Sequence, residues 1–295
     1  MTGARPSEGR LYFLLFLMLV FWSLNYVIGK FALREFPPLL LACLRTTFSG
    51  LFVLPIYLAR RKGVRGDWKW PELRGLLVLG VAGLVLNQVL FVIGLSWTSV
   101  AHASIVVVLM PVMVLLFSVF LGQEHFTIGK TLGIIVAAAG VLVLQLSKDQ
   151  SSGATIYGDL FIFMSGIALA AYTVKSKQLA NRYDTLTINS IAYVGGALAL
   201  APTTLWLSFG FNFTRASALG WASLAYMSAF AGVLSYLIYN YALQYIPASR
   251  VSAFSYLQPL GATLFAVFLL GELITASLVI GGILVLAGVF ITERV

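Results

Sequence analysis

The sequence predicts an all-α polytopic membrane protein, with ten transmembrane helices arranged as two inverted five-helix repeats around a central cavity. Three observations predict it. The 295 residues are 60% hydrophobic and only 10% charged, with a mean hydropathy of +0.96, and the apolar runs are longer than a soluble core helix requires. A long segment recurs without a gap at a constant separation of 148 residues. The basic residues cluster in alternate connections, as the orientation of membrane spans demands.

The helices follow in order along the chain. After a polar N-terminal stretch carrying Arg5 and Arg10, residues 11–31 form one apolar run. It is about as long as a bilayer-spanning helix (~20 residues), and no small-residue cleavage site follows it, so it reads as a span rather than a signal peptide. Further spans are expected at 39–59, 73–95, 100–121, 128–146, 157–177, 186–208, 218–243, 248–270 and 274–292. The short connections 96–99, 122–127 and 271–273 make helices three and four, four and five, and nine and ten antiparallel neighbours. The single Cys43 lies inside an apolar run and supports neither a disulfide framework nor a thiolate metal site.

The duplication is carried by uncommon residues. Residues 94–124 align with 242–272 through Ser104/Ser252, Pro111/Pro259, the run Val119-Phe120-Leu121 against Val267-Phe268-Leu269, and Glu124/Glu272. Beyond these, Thr127 meets Thr275, Gly133 meets Gly281, and Ala139-Gly140-Val141 meets Ala287-Gly288-Val289. Shared leucines mean little in so apolar a chain. One proline and one carboxylate at a fixed distance, followed by the same glycines, mark an internal repeat. It divides the chain into residues 1–147 and 148–295.

Charge sets the expected orientation. With a cytoplasmic N-terminus, fourteen of the nineteen basic residues fall in cytoplasmic segments, including Arg60, Arg61, Lys62, Arg65 and Lys69 in a single connection. Both termini are therefore expected on the cytoplasmic side. The net charge of +9 is a topology signal and gives no reason to expect nucleic acid. Five helices per copy make the second copy enter the membrane from the opposite side. Inverted repeats of this kind suit secondary transport by alternating access, because two oppositely oriented halves can exchange conformations around one midplane site.

The pattern Trp22-Ser23-Leu24-Asn25-Tyr26, the unit Gly94-Leu95-Ser96-Trp97-Thr98-Ser99-Val100-Ala101, then Pro111 and Glu124, with echoes at Ala242-Leu243, Pro259 and Glu272, resembles the EamA-type branch of the drug/metabolite transporter superfamily from about residue 11 to 293. The resemblance implies a ten-helix bundle with a central cavity. Among such proteins the exporters of amino acids and related metabolites, aromatic amino acids included, are the nearest in character.

Pro111 and Pro259 are expected well inside helices four and nine, where each removes a backbone hydrogen bond and kinks its helix; the kink serves either as a hinge or simply to shape the bundle. Glu124 and Glu272 end their helices and read as structural, receiving hydrogen bonds near Thr127 and Thr275. Gly133 and Gly140, like Gly281 and Gly288, lie seven apart on one helix face and read as close-packing surfaces.

No Asp or Glu falls in the middle of any span, which leaves a proton-coupled exporter of cations without its usual residue. Arg45 is the one basic residue deep in a span. It is either functional or paired with a backbone carbonyl. Lys30, Lys175, Lys177 and Arg250 lie near helix ends, from which they can snorkel. A neutral or zwitterionic substrate fits this sparse charge.

The spans do hold a polar and aromatic set. Trp22, Asn25 and Tyr26 share one face of helix one, Asn87, Gln88 and Phe91 mark helix three, and Ser235, Tyr236 and Tyr239 mark helix eight. The repeat maps Asn87 onto Ser235, Gln88 onto Tyr236 and Phe91 onto Tyr239. Helix six adds Tyr172, and helix nine adds Ser252, Ser255, Tyr256 and Gln258. Buried amides and hydroxyls must face one another or a wet cavity; for any one of them an interhelical hydrogen bond is the competing reading, and for the set a substrate cavity is expected. Its amides and hydroxyls would hold an ammonium and a carboxylate, and its rings an apolar side chain. His102 and Arg250 occupy equivalent repeat positions near the starts of helices four and nine and are gating candidates.

A membrane-embedded enzyme is disfavoured, since no convergent His, Asp and Glu constellation or metal-ligand spacing is present. No cofactor is expected. The expected partners are a small-molecule substrate, an amino acid or similar metabolite, and the lipid bilayer, with the protein a monomer or weak homodimer in a bacterial inner membrane. The alternative within the same fold is a carrier for another solute class, such as a nucleotide sugar, a purine or a drug-like cation.

Overall fold

The computed structural model describes residues 6–60, 70–98, 103, 106–107, 109–125, 127–146, 156–180, 182–270 and 276–294. These residues form ten helical rods and no strand. We label them α1 (Glu8–Glu35), α2 (Pro38–Arg60), α3 (Trp70–Trp97), α4 (Met110–Phe120), α5 (Ile128–Leu146), α6 (Ile156–Leu179), α7 (Thr185–Phe209), α8 (Ala218–Tyr245), α9 and α10 (Ala276–Arg294). The rod α9 is composite, with α-helix at Ala248–Ala253, a 3-10 turn at Phe254–Leu257 and α-helix again at Gln258–Leu270.

Local chemistry sets several of the boundaries. Ser7 caps α1 by accepting a hydrogen bond from the Arg10 amide, and α1 ends where Phe36 turns extended before the Pro37-Pro38 pair. Pro38 then opens α2, at a position where its missing N–H costs nothing. Asp184 caps α7 through the Thr187 amide, and Ser217 caps α8 through the Gly220 amide. Six rods, α1, α2, α3, α6, α7 and α8, are long and apolar enough to cross a membrane by length and composition. Large apolar side chains cover the outside, among them Phe120, Ile128, Phe209 and Phe268, each more than 80% exposed. In water such a surface would drive aggregation, whereas in lipid it is solvated.

The rods pack as a duplicated arrangement. Helices α5 and α10, at matching places in the two halves, pack on each other, as do α2 and α7; α3 of the first half packs on α6 of the second, and α1 on α8. The α5/α10 crossing is close because glycine leaves room for it. A Cβ at Gly133 would sit 2.8 Å from the Gly288 carbonyl, one at Gly140 would sit 2.8 Å from that of Gly281, and one at Gly288 would sit 2.6 Å from that of Gly133. The glycine faces expected from the sequence thus meet each other across the repeat.

Both third helices of the halves carry a π turn, at Gly80–Val85 in α3 and Ala229–Leu234 in α8. A π turn inserts one extra residue and so rotates the following helix by about 100° relative to a continuous α-helix. It also frees carbonyl groups. In α8 the Ser235 hydroxyl donates to the Phe230 carbonyl at 2.8 Å, and the Trp22 indole N–H of α1 donates to the Ala231 carbonyl at 3.0 Å.

The two prolines have different settings. Pro111 lies at the first turn of the continuous helix α4, and Pro259 is the second residue of the α-segment that follows the 3-10 turn of α9. Neither interrupts a regular described helix from its middle. Pro259 stands inside the composite rod α9, where its missing N–H and the 3-10 turn coincide.

Glu124 also differs in its partners. Its carboxylate receives the Lys130 ammonium at 2.7 Å, the Ser249 amide at 3.0 Å and the Ser249 hydroxyl. Thr127 instead accepts the Lys130 amide at the start of α5. Glu124 therefore ties the α4–α5 turn to the first turn of α9, in the other half of the chain. Burial by itself would raise its pKa, but the hydrogen bonds from Lys130 and Ser249, with the Lys130 charge, hold it below the ordinary carboxylate value. Glu272 and Thr275 lie outside the described residues.

Candidate functional site

A small cavity of about 70 Å³ opens where α1, α2, α3, α4, α6, α8 and α9 converge. Trp22 and Tyr26 enter it from α1, Arg45 from α2, Asn87, Gln88 and Phe91 from α3, Ser165, Gly166 and Leu169 from α6, Tyr236 from α8 and Gln258 from α9, with Val107 and Met110 completing the wall.

Seven of the polar and aromatic residues chosen from sequence are brought together here: Trp22, Tyr26, Asn87, Gln88, Phe91, Tyr236 and Gln258. The i, i+4 spacing of Trp22 and Tyr26 places both rings on one face of α1. Trp22 meets Tyr236 edge-on with centroids 5.4 Å apart, and Tyr26 meets Phe91 edge-on at 5.4 Å. The apolar walls are thus aromatic pairs in their favoured geometry.

The polar groups are held by a hydrogen-bonded frame. The Tyr236 hydroxyl donates to the Asn87 side-chain carbonyl at 3.0 Å, and the Asn87 amide donates to the Ser165 carbonyl at 2.9 Å. The Gln88 amide donates to the Tyr193 hydroxyl at 2.6 Å. The Tyr26 hydroxyl reaches the Gln258 carboxamide at 3.4 Å, while Ser23 bonds the Gln258 backbone carbonyl. The side-chain carbonyl of Gln88 and the guanidinium Nε of Arg45 are buried without a hydrogen-bond partner.

The other candidates fall behind the cavity wall. Tyr239 is fully buried and shares a 2.7 Å hydrogen bond with Thr173, though its ring packs on Trp22 at 5.5 Å. The Tyr172 hydroxyl accepts from the Asn240 amide at 2.7 Å. Ser235 turns back onto the carbonyl freed by the π turn. Asn25 and Ser255 are buried but do not line the cavity. Interhelical hydrogen bonding holds Tyr172 and Tyr239, because a hydroxyl one helical position away from the cavity face meets a neighbouring helix.

Of the gating candidates, Pro111 lies in the first turn of α4 and Pro259 inside α9. Arg250 is half-buried at the end of the short first segment of α9, with its Nε unpartnered among the described residues. His102 lies outside the described residues. Lys30 and Lys177 do not snorkel freely, since each donates to two carbonyls at a helix end. Sequence reasoning missed Ser165, Gly166, Leu169, Val107 and Met110, because small and aliphatic residues on a cavity wall look like residues on any other wall.

Comparison with known proteins agrees with this architecture. The model of the EamA-like transporter family matches the chain twice, over residues 9–146 and 156–294. The chain is similar to an uncharacterized transporter of Archaeoglobus fulgidus, 31% identical over 96% of this chain and 98% of that protein. It is also similar to the uncharacterized transporter YyaM of Bacillus subtilis, 26% identical over 97% of this chain and 94% of the relative. A solved crystal structure superposes with a TM-score of 0.77 over 98% of both chains at 22% identity, which shows a shared fold. The two family matches cover both halves of the bundle, and the chain belongs to the EamA-like transporter family, an integral membrane protein and a transporter rather than an enzyme.

Proposed function

We propose that this transporter is a secondary carrier of small metabolites, working by alternating access as an exporter or facilitator of neutral and aromatic amino acids. The observation that carries this reading is the central cavity, where helices of both halves bring the rings of Trp22, Tyr26, Phe91 and Tyr236 beside the carboxamides of Asn87, Gln88 and Gln258. Such a wall suits a ligand with an apolar ring and a few hydrogen-bonding groups. The inverted arrangement would expose the cavity to each side in turn, with both termini cytoplasmic in a bacterial inner membrane, as the distribution of basic residues favours.

The test is counterflow in liposomes containing the purified protein and loaded with unlabelled amino acid, following labelled Phe, Trp, Leu and Thr. Saturable uptake of an aromatic amino acid, lost in Trp22→Ala and Asn87→Ala, is the expected result. Exchange of a purine, nucleotide sugar or organic cation with no amino acid moving would overturn the substrate reading and leave the carrier intact.

A further inference from the structure

Resting on the reading of the central cavity as the substrate site, we infer that Arg45 is the anchor for a substrate carboxylate, so that the carboxylate is the obligatory group of the transported class and the amino group is dispensable.

Arg45 is 3% exposed, lines the cavity, and keeps its Nε without a partner. Among the described residues no carboxylate lies within 4 Å of it, and its titratable neighbours are the phenols of Tyr193 and Tyr236. Arg250 is half-buried with its Nε likewise unpartnered, but it does not line the cavity, and the buried or half-buried lysines have partners. Lys130 is paired with Glu124, while Lys30 and Lys177 are each bonded to two carbonyls.

An arginine in a span without a counter-charge is costly, and such residues face the bundle interior and mark substrate paths. The guanidinium presents a planar fork of donors that matches a carboxylate in two parallel bonds. A monocarboxylate would bring the missing charge and the missing acceptors together. An ammonium, in contrast, finds no ionised carboxylate among the cavity residues; it meets ring faces and the neutral carboxamides of Asn87, Gln88 and Gln258. Recognition is therefore asymmetric. One end of the ligand is required by charge, and the other is only tolerated.

Four probes share one ring and differ in the ends: phenylalanine, phenylpyruvate, phenylalaninamide and 2-phenylethylamine. Counterflow in proteoliposomes should show exchange of phenylalanine and phenylpyruvate and none of the other two. Arg45→Gln should lower phenylalanine exchange at least tenfold and Arg45→Lys less, while the ligand-free Arg45→Gln protein should unfold at the same or a higher temperature than wild type, because an uncompensated charge has been removed. Equal exchange of phenylalanine and phenylalaninamide, or full activity of Arg45→Gln, would overturn the inference and leave the amino-acid reading standing. A lowered unfolding temperature in Arg45→Gln would also overturn it, by making Arg45 a structural group. Exchange of phenylpyruvate with phenylalanine excluded would do the reverse, upholding the carboxylate anchor and removing the amino-acid reading.

Discussion

Lys30 and Lys177 do the same work in the two halves of the protein. Lys30 on α1 donates to the carbonyls of Leu95 and Thr98, where α3 ends, and Lys177 on α6 donates to those of Leu243 and Ile246, where α8 ends. Each lysine satisfies carbonyls that a helix C-terminus leaves unpaired, at the end where the helix dipole favours a cation. The first helix of each half is thereby pinned to the end of the third. Replacing either lysine by methionine should destabilise the protein by about 1.5 kcal/mol, the low end for a hydrogen bond from a charged group, because both side chains are partly exposed. The double variant should show the sum, since the two lysines share no partner. Thermal unfolding in detergent measures this; an unchanged midpoint in both single variants would refute the pinning role.

Two tyrosines on α8 separate the cavity from its support. Tyr236 lines the cavity and donates to Asn87, whereas Tyr239 faces Thr173. Removing the Tyr236 hydroxyl leaves the Asn87 acceptor unpaired at the wall, so Tyr236→Phe should reduce counterflow about tenfold, corresponding to about 1.4 kcal/mol. Tyr239→Phe should stay within about twofold of wild type in transport and show its effect in stability. Equal transport losses in both would contradict the division.

Glu124 makes stability depend on acid. Its pKa is depressed in the fold, so its contribution is full above the unfolded carboxylate value of about 4.5 and is lost as pH falls through the lower folded value. Wild-type protein should therefore lose stability at acid pH, below 4.5, by more than Glu124→Gln does. At pH 7 Glu124→Ala should cost about 2 kcal/mol, since it strands the Lys130 ammonium. Unfolding midpoints of the three proteins from pH 7 to pH 3 check both statements; parallel curves for wild type and Glu124→Gln would rule out the titration.

The glycine crossing has little tolerance. A methyl group at Gly140 would lie 2.7 Å from the Val285 amide nitrogen and 2.8 Å from the Gly281 carbonyl, both backbone atoms that cannot swing away. Gly140→Ala should cost about 2 kcal/mol by forcing α5 and α10 apart. Gly75→Ala, where nothing lies within 4 Å of the added methyl, is the control and should leave the unfolding midpoint at or above wild type. A similar loss in both would show that the effect is not contact at the crossing.

Much of the fold was legible because its signals are periodic and strong. Six of the apolar runs are helices long enough to cross a membrane among the described residues, and Gly133, Gly140 and Gly288, matched by the repeat, meet at one crossing. The site was legible only in part. Trp22, Tyr26, Asn87, Gln88, Phe91 and Tyr236 could be chosen because polar and aromatic side chains at helical spacing inside a span must face something other than lipid. Tyr172, Ser235 and Tyr239 meet that criterion equally well, yet their partners are neighbouring helices and their own backbone. The two π turns made the difference harder to read, since each shifts the helical phase of the residues that follow.

Hydropathy, the 148-residue repeat and the placement of basic residues by themselves determine a duplicated helical membrane bundle, because the cost of unsatisfied backbone in lipid leaves a long apolar chain few other structures. Tertiary structure alone decides which polar groups are consumed by the scaffold and which are left for a ligand. Lys30, Lys177 and Arg45 are all basic residues within helices, but only the packing of the rods gives the two lysines their carbonyls and leaves the Arg45 Nε unpaired at the cavity. Hydrogen bonding is short-ranged and directional, so that distinction depends on positions a few ångströms apart in residues far apart along the chain.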